Sequence, residues 1–104
     1  MAQYEVLRNR DPRSLARVPF LLDVQSDLLE GLATRVVVPL TEAAHFGKPA
    51  RRLNPTFDVE GRSVVMSTAE LAGVPRAILG EPVASLAAQR ADITAALDLL
   101  LLGI

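Results

Sequence analysis

Apolar residues recur in short alternating runs up to about Pro82 and at helical spacing beyond it. "YEVL" (4–7) predicts an opening strand, and "FLLDVQS" (20–26) a second. In the second, Leu22 and Val24 share one face while Leu21, Asp23 and Gln25 share the other. "DLLEGL" then sets Leu28 and Leu29 beside a turn. "TRVVVPL" (34–40) is β-branched and aligns Val36, Val38 and Leu40 on one face. Pro39 cannot donate a ladder hydrogen bond, which predicts a sheet edge or strand end there. "TFDVEGRSVVMST" (56–68) reads as a hairpin. A type II′ turn at Gly61-Arg62 opposes Val59 to Val64 and Phe57 to Met66. It is preferred to a turn at Glu60-Gly61, which opposes Val59 to Arg62. Segments 8–17 and 41–55 read as connections, and 70–82 as a short strand or irregular stretch.

From Pro82 to about residue 102 the pattern predicts a helix, with Leu86, Ile93, Leu97, Leu100 and Ile104 on one stripe. Pro82 suits its first turn, where a missing N–H costs nothing. Strands followed by one terminal helix make a mainly β, α+β domain spanning 1–104. The last turn, "LLLLGI", is apolar nearly all round: Leu101 falls on the side of Thr94 and Asp98, which the stripe leaves to water. Two readings follow. The tip is buried, in the core or between two copies, or it is an exposed surface offered to another protein. A buried leucine contributes roughly 1.5–3 kcal/mol, enough for a few to drive association.

Composition narrows the choices. Of 104 residues half are hydrophobic but only 4% aromatic, so the core is aliphatic. A net charge of −1 with 22% charged residues fits a folded domain and argues against direct nucleic-acid binding. There is no cysteine, which excludes disulfides and thiolate chemistry. The opening residues lack an apolar signal region, and apolar stretches stay near ten residues, against the roughly 20 that span a bilayer. The expected compartment is the cytoplasm. Arg8, Arg10, Arg13 and Arg17 crowd the 8–17 segment, either as a solvated loop or as a basic patch for an acidic partner.

Candidate chemistry is sparse. His45 has no companion at metal-ligand spacing, so no metal or other cofactor is expected. Asp23 and Asp27 would lie roughly 13 Å apart along a strand, too far for acid/base pairing, and read as hydrogen-bonding groups at a strand end. No serine has an activating neighbour, and no phosphate loop is present. An enzyme is not expected.

The stretches "LLDVQSDLL" (21–29), "RVVVPL" (35–40), "RRLNPTFDVEG" (51–61), "ELAGVP" (70–75), "LGEPVASLA" (79–87) and the final "GI" resemble, in order, the CcdB family of toxins from toxin–antitoxin pairs. The resemblance implies an SH3-like antiparallel β structure with a C-terminal helix, forming a two-fold homodimer. It implies that the dimer binds the A subunit of DNA gyrase and traps it on cleaved DNA, catalysing nothing itself. It also implies neutralisation by a CcdA-like antitoxin that folds on binding. Carried over, the gyrase contacts are Leu28, Leu29, Asp98, Leu101, Leu102, Gly103 and Ile104, with the carboxylate at Ile104 available to a gyrase arginine. Leu101 and Leu102 stand where the best-known member has phenylalanine and tryptophan, and Asp98 where it has asparagine. Arg8, Arg10 and Arg13 are the candidate antitoxin contacts. A second reading is a non-toxic chromosomal homologue that binds antitoxin but has little gyrase affinity.

Overall fold

The computed structural model describes all residues, Met1–Ile104. Seven strands form one antiparallel sheet: β1 (Glu5–Asn9), β2 (Phe20–Asp23), β3 (Thr34–Glu42), β4 (Thr56–Val59), β5 (Arg62–Met66), β6 (Ala72–Pro75) and β7 (Leu79–Ser85). A single helical turn, α1 (Ala43–Phe46), follows β3, and α2 (Arg90–Leu102) closes the chain. The strand order is β4-β5-β3-β2-β1-β7, and β6 joins the first half of β3. This is the mainly β architecture with a C-terminal helix that the sequence pattern implies.

The sheet is curled, and apolar side chains cover both its faces. On the concave face Val6, Phe20, Leu22, Val24, Val38, Leu40, Phe57, Val59, Val64 and Met66 pack with Leu86, Ile93 and Ala96 from the α2 side. On the convex face Leu7, Val18, Leu21, Val37 and Leu79 form a smaller cluster. Consecutive residues therefore divide between two cores, as the pleat requires. The alternation predicted for β2 and β3 holds residue by residue.

Four local expectations differ from the structure. Pro39 lies inside the nine-residue β3, not at an edge or end. β6 pairs with Thr34 to Val37, and β5 takes over from Leu40. Pro39 still accepts the Ser67 N–H through its carbonyl, but with no N–H of its own it ends the β5 ladder there. The hairpin turns at Glu60-Gly61, pairing Val59 with Arg62 and Phe57 with Val64. Both turn residues have positive φ, 53° and 77°, which is type I′ geometry. The two registers differ by an even step, so both send Phe57, Val59, Val64 and Met66 inward and alternation alone cannot separate them.

Pro82 is in β7, not in a helix. It opposes Leu7 between two register shifts, on an outer strand where proline is tolerated. α2 consequently begins at Arg90, after a 3-10 turn at Ala87–Gln89. Fourth, Arg8 is a strand residue of β1 and not part of a loop.

Candidate functional site

The "DVQSD" stretch builds a platform for the two leucines after it. The Asp23 carboxylate, fully buried, accepts from Arg35 at 2.9 and 2.5 Å through one oxygen and from the Gln25 N–H at 3.0 Å through the other. Burial pushes the Asp23 carboxyl above its ordinary range, and the Arg35 and Gln25 contacts oppose that shift without cancelling it. Gln25 is buried too: its amide accepts the Val36 N–H at 2.9 Å and donates to the Leu29 carbonyl at 2.8 Å. Ser26 caps the 3-10 turn Asp27–Leu29 by accepting the Leu28 N–H. Asp27 accepts the Gln3 N–H at 2.9 Å. The hydrogen-bonding role expected of Asp23 and Asp27 is what they do. The pattern places Gln25 only on the face of Asp23, and it gives Arg35 no role. A charge abutting "VVV" and a polar residue alternating with core positions were the available signals.

The turn so held presents Leu28 almost wholly to solvent, 95% exposed, with Leu29 half exposed beside it. Leu29 and Leu32 form one wall of a groove of about 350 Å³ whose floor includes Val24 and Val36. Leu97 and Leu101 of α2 form the opposite wall. Arg76 keeps the loop in place by donating to the Glu30 and Leu32 carbonyls. The fold thus brings Leu29 and Leu101, 72 positions apart in sequence (101 − 29), to one apolar groove.

At the tip Leu101, Leu102 and Ile104 are 66%, 67% and 71% exposed. Within one chain the apolar tip is therefore not part of the core. Gly103 ends α2 in the left-handed conformation, φ 73°, and its N–H closes on the Leu99 carbonyl at 3.1 Å. Ile104 leaves the predicted stripe there. Its carbonyl oxygen accepts from the Arg52 guanidinium of the same chain. Asp98 is part-buried on α2.

The arginines separate. Arg8 and Arg10 line a polar cleft of about 650 Å³ with Arg62, Glu81 and Gly80. Arg8 is bound to Glu81 at 2.7 Å and to Glu60 at 2.9 Å, and these pairs push its guanidinium above its ordinary pKa. Arg62 pairs with Glu42 and stands 5.7 Å over the Phe20 ring. Arg10 has no ion-pair partner. Arg13 lies outside the cleft lining and is paired with Asp11 at 3.2 Å, which holds that carboxyl below its ordinary value. Gly80 permits the close approach of β7 to β1 beneath the cleft: a Cβ there would meet the Arg8 Cβ at 2.9 Å. Arg62 and Gly80 joined the cleft unannounced by the sequence, because only the hairpin and sheet pairings carry them there.

His45 is exposed on α1, and no group of three or more His, Cys, Asp or Glu side chains is placed to hold a metal ion. No helix is long and apolar enough to cross a membrane.

Comparison with known proteins adds two findings. The family model described as "CcdB protein" matches residues 3–103. A solved structure of the Mycobacterium tuberculosis toxin MazF-mt6 is similar in fold at a TM-score of 0.71, with 16% identity over 90% of this chain and 92% of that one.

Proposed function

The chain belongs to the CcdB family, toxins of toxin–antitoxin pairs, and from that premise we propose that it binds the A subunit of DNA gyrase and traps the enzyme on cleaved DNA. The observation that carries this reading is the exposure of two leucine pairs, Leu28 and Leu29 on a hydrogen-bonded turn and Leu101 and Leu102 at the end of α2, of which Leu29 and Leu101 line one groove. Asp98, Gly103 and Ile104 complete the surface. The protein supplies no chemistry. Its part is to wedge apolar side chains into a partner, where desolvating them gives affinity. As a homodimer it offers two such surfaces to a two-fold enzyme, so the second contact forms at high effective concentration.

Arg8 and Arg10 in the polar cleft are the proposed contacts for an acidic, CcdA-like antitoxin segment. Arg10 is the guanidinium with no internal carboxylate to displace. Arg13, already engaged by Asp11, is the weaker member of the set.

The test is to delete Leu102 to Ile104 and compare gyrase-dependent DNA cleavage with the full chain. The full chain is expected to accumulate cleaved complexes and the truncated one to need at least about ten-fold more protein, a loss of ~1.4 kcal/mol. Equal trapping by both overturns the role of the tip. A second reading rests on Leu101 and Leu102 in place of large aromatic anchors, which bury more surface. On that reading the protein binds antitoxin without poisoning gyrase, and cells expressing it alone grow normally.

A further inference from the structure

We propose that Arg52 is a positioning residue that fixes the orientation of the apolar tip. The assignment deepens the gyrase reading and rests on it for its consequence, but the contact itself belongs to the free protein.

Three observations converge on Arg52. Its guanidinium donates to the carbonyl oxygen of Ile104, joining the 51–54 loop to the residue beyond Gly103. Its backbone has φ 67°, a left-handed conformation that a side-chain-bearing residue adopts at a cost and keeps only where its surroundings over-determine it. The surroundings do so. The Asn54 amide accepts the Ala50 N–H at 3.0 Å and donates to the Met66 carbonyl at 3.0 Å, and the Thr68 hydroxyl donates to the Leu53 carbonyl. The loop is therefore riveted to the end of β5 and the turn after it, and Arg52 projects from a rigid base.

The helix needs such a partner. α2 has no basic residue in its last turn and no charge to offset the carbonyls gathered there. The cation that reaches this end of the molecule is Arg52, at Ile104 just past the Gly103 cap. Leu102 and Ile104 stand mostly in solvent and pack little against the rest of the fold. Holding Ile104 lowers the ordering cost of docking the tip into a partner. One oxygen of Ile104 is thus engaged within the chain, while the side chains of Leu101, Leu102 and Ile104 stay exposed.

The experiment compares Arg52→Ala, Arg52→Lys and, as a control of equal charge change one position away, Arg51→Ala. Backbone 15N relaxation of the free protein reads the mobility of Gly103 and Ile104, and thermal unfolding reads the fold. The same proteins are then titrated against a bacterial DNA gyrase in the cleavage assay. The expected result is that R52A mobilises Gly103 and Ile104 without altering the Ile93 region or the melting temperature, and that R52K restores part of the order. R51A should leave the tip as it is. In the gyrase titration R52A should need about three- to five-fold more protein, in line with loss of one exposed charged contact. Unchanged relaxation in R52A, or equal loosening by R51A, overturns the assignment. So does a loosened tip that traps gyrase at the parent concentration. If the parent itself never acts on gyrase, the functional reading fails, and the relaxation data alone decide whether Arg52 holds the tip.

Discussion

Asp23 and Arg35 meet in a fully buried ion pair at the root of the proposed site, and one guanidinium nitrogen of Arg35, Nη1, has no partner. Removing one member leaves the other charge stranded in a low-dielectric interior. Asp23→Ala is expected to cost about 3–5 kcal/mol in a urea titration. Asp23→Leu combined with Arg35→Met should recover most of that loss, because two apolar residues strand nothing. The pair also orients Gln25, which holds the Leu29 carbonyl, so D23A should disturb gyrase binding beyond its effect on folding. Asp11 behaves oppositely to Asp23. Its carboxyl accepts from the Arg13 side chain and N–H, which lowers its pKa from the ordinary 3.8. The stabilisation it brings is present above pH 3.8 and is lost as pH falls through the lowered value. A carboxyl-carbon titration by NMR should give a midpoint below 3.8 that rises again in Arg13→Ala. Alternating polarity around Asp23 was readable in the sequence. Its partner was not, since Arg35 lies across a strand pairing.

Among the elements, α2 divides into a structural half and an exposed half. Ile93 and Ala96 are fully buried against the concave face, while Leu101 and Leu102 are mostly in water. Ile93→Ala should destabilise the fold by about 2–5 kcal/mol through the cavity it leaves. Leu101→Ala should stay within about 0.5 kcal/mol of the parent while weakening gyrase trapping. Unfolding curves and cleavage titrations of the same two variants separate the roles, and a large stability loss in L101A would mean the tip belongs to the core. The hairpin and β7 show where element boundaries escape pattern reading. Glu60 enters a left-handed turn conformation that glycine at Gly61 predicts only for its own position, and Arg8 then holds the Glu60 carboxylate. Residues 82–85 fall within the helix expected from Pro82 onward but pair with β1 as Glu5–Ser85 and Val6–Ala84, because β1 has an open edge whose N–H and C=O groups need partners.

At the scale of the molecule, two exposed apolar patches on a chain of 104 residues favour self-association or capture of a partner. Sedimentation equilibrium is expected to return about twice the 11.2 kDa of one chain, and a monomer at all concentrations would remove the two-fold match to gyrase. The alternation within β2 and β3, the terminal helix and the apolar tip were legible along the chain, because each depends on neighbours within one turn or one strand. The resemblance carried by "DVQSD" and "GI" pointed to the same surface. Everything that joins distant segments lay beyond that range: the Asp23–Arg35 pair, the convergence of Leu29 with Leu101, the cleft that unites Arg8 with Arg62, and the tie from Arg52 to Ile104. A periodic pattern reports which face of an element is buried but not what it is buried against. Register and long-range pairing are decided by how both faces of the curled sheet fill at once, and that is a property of the folded molecule alone.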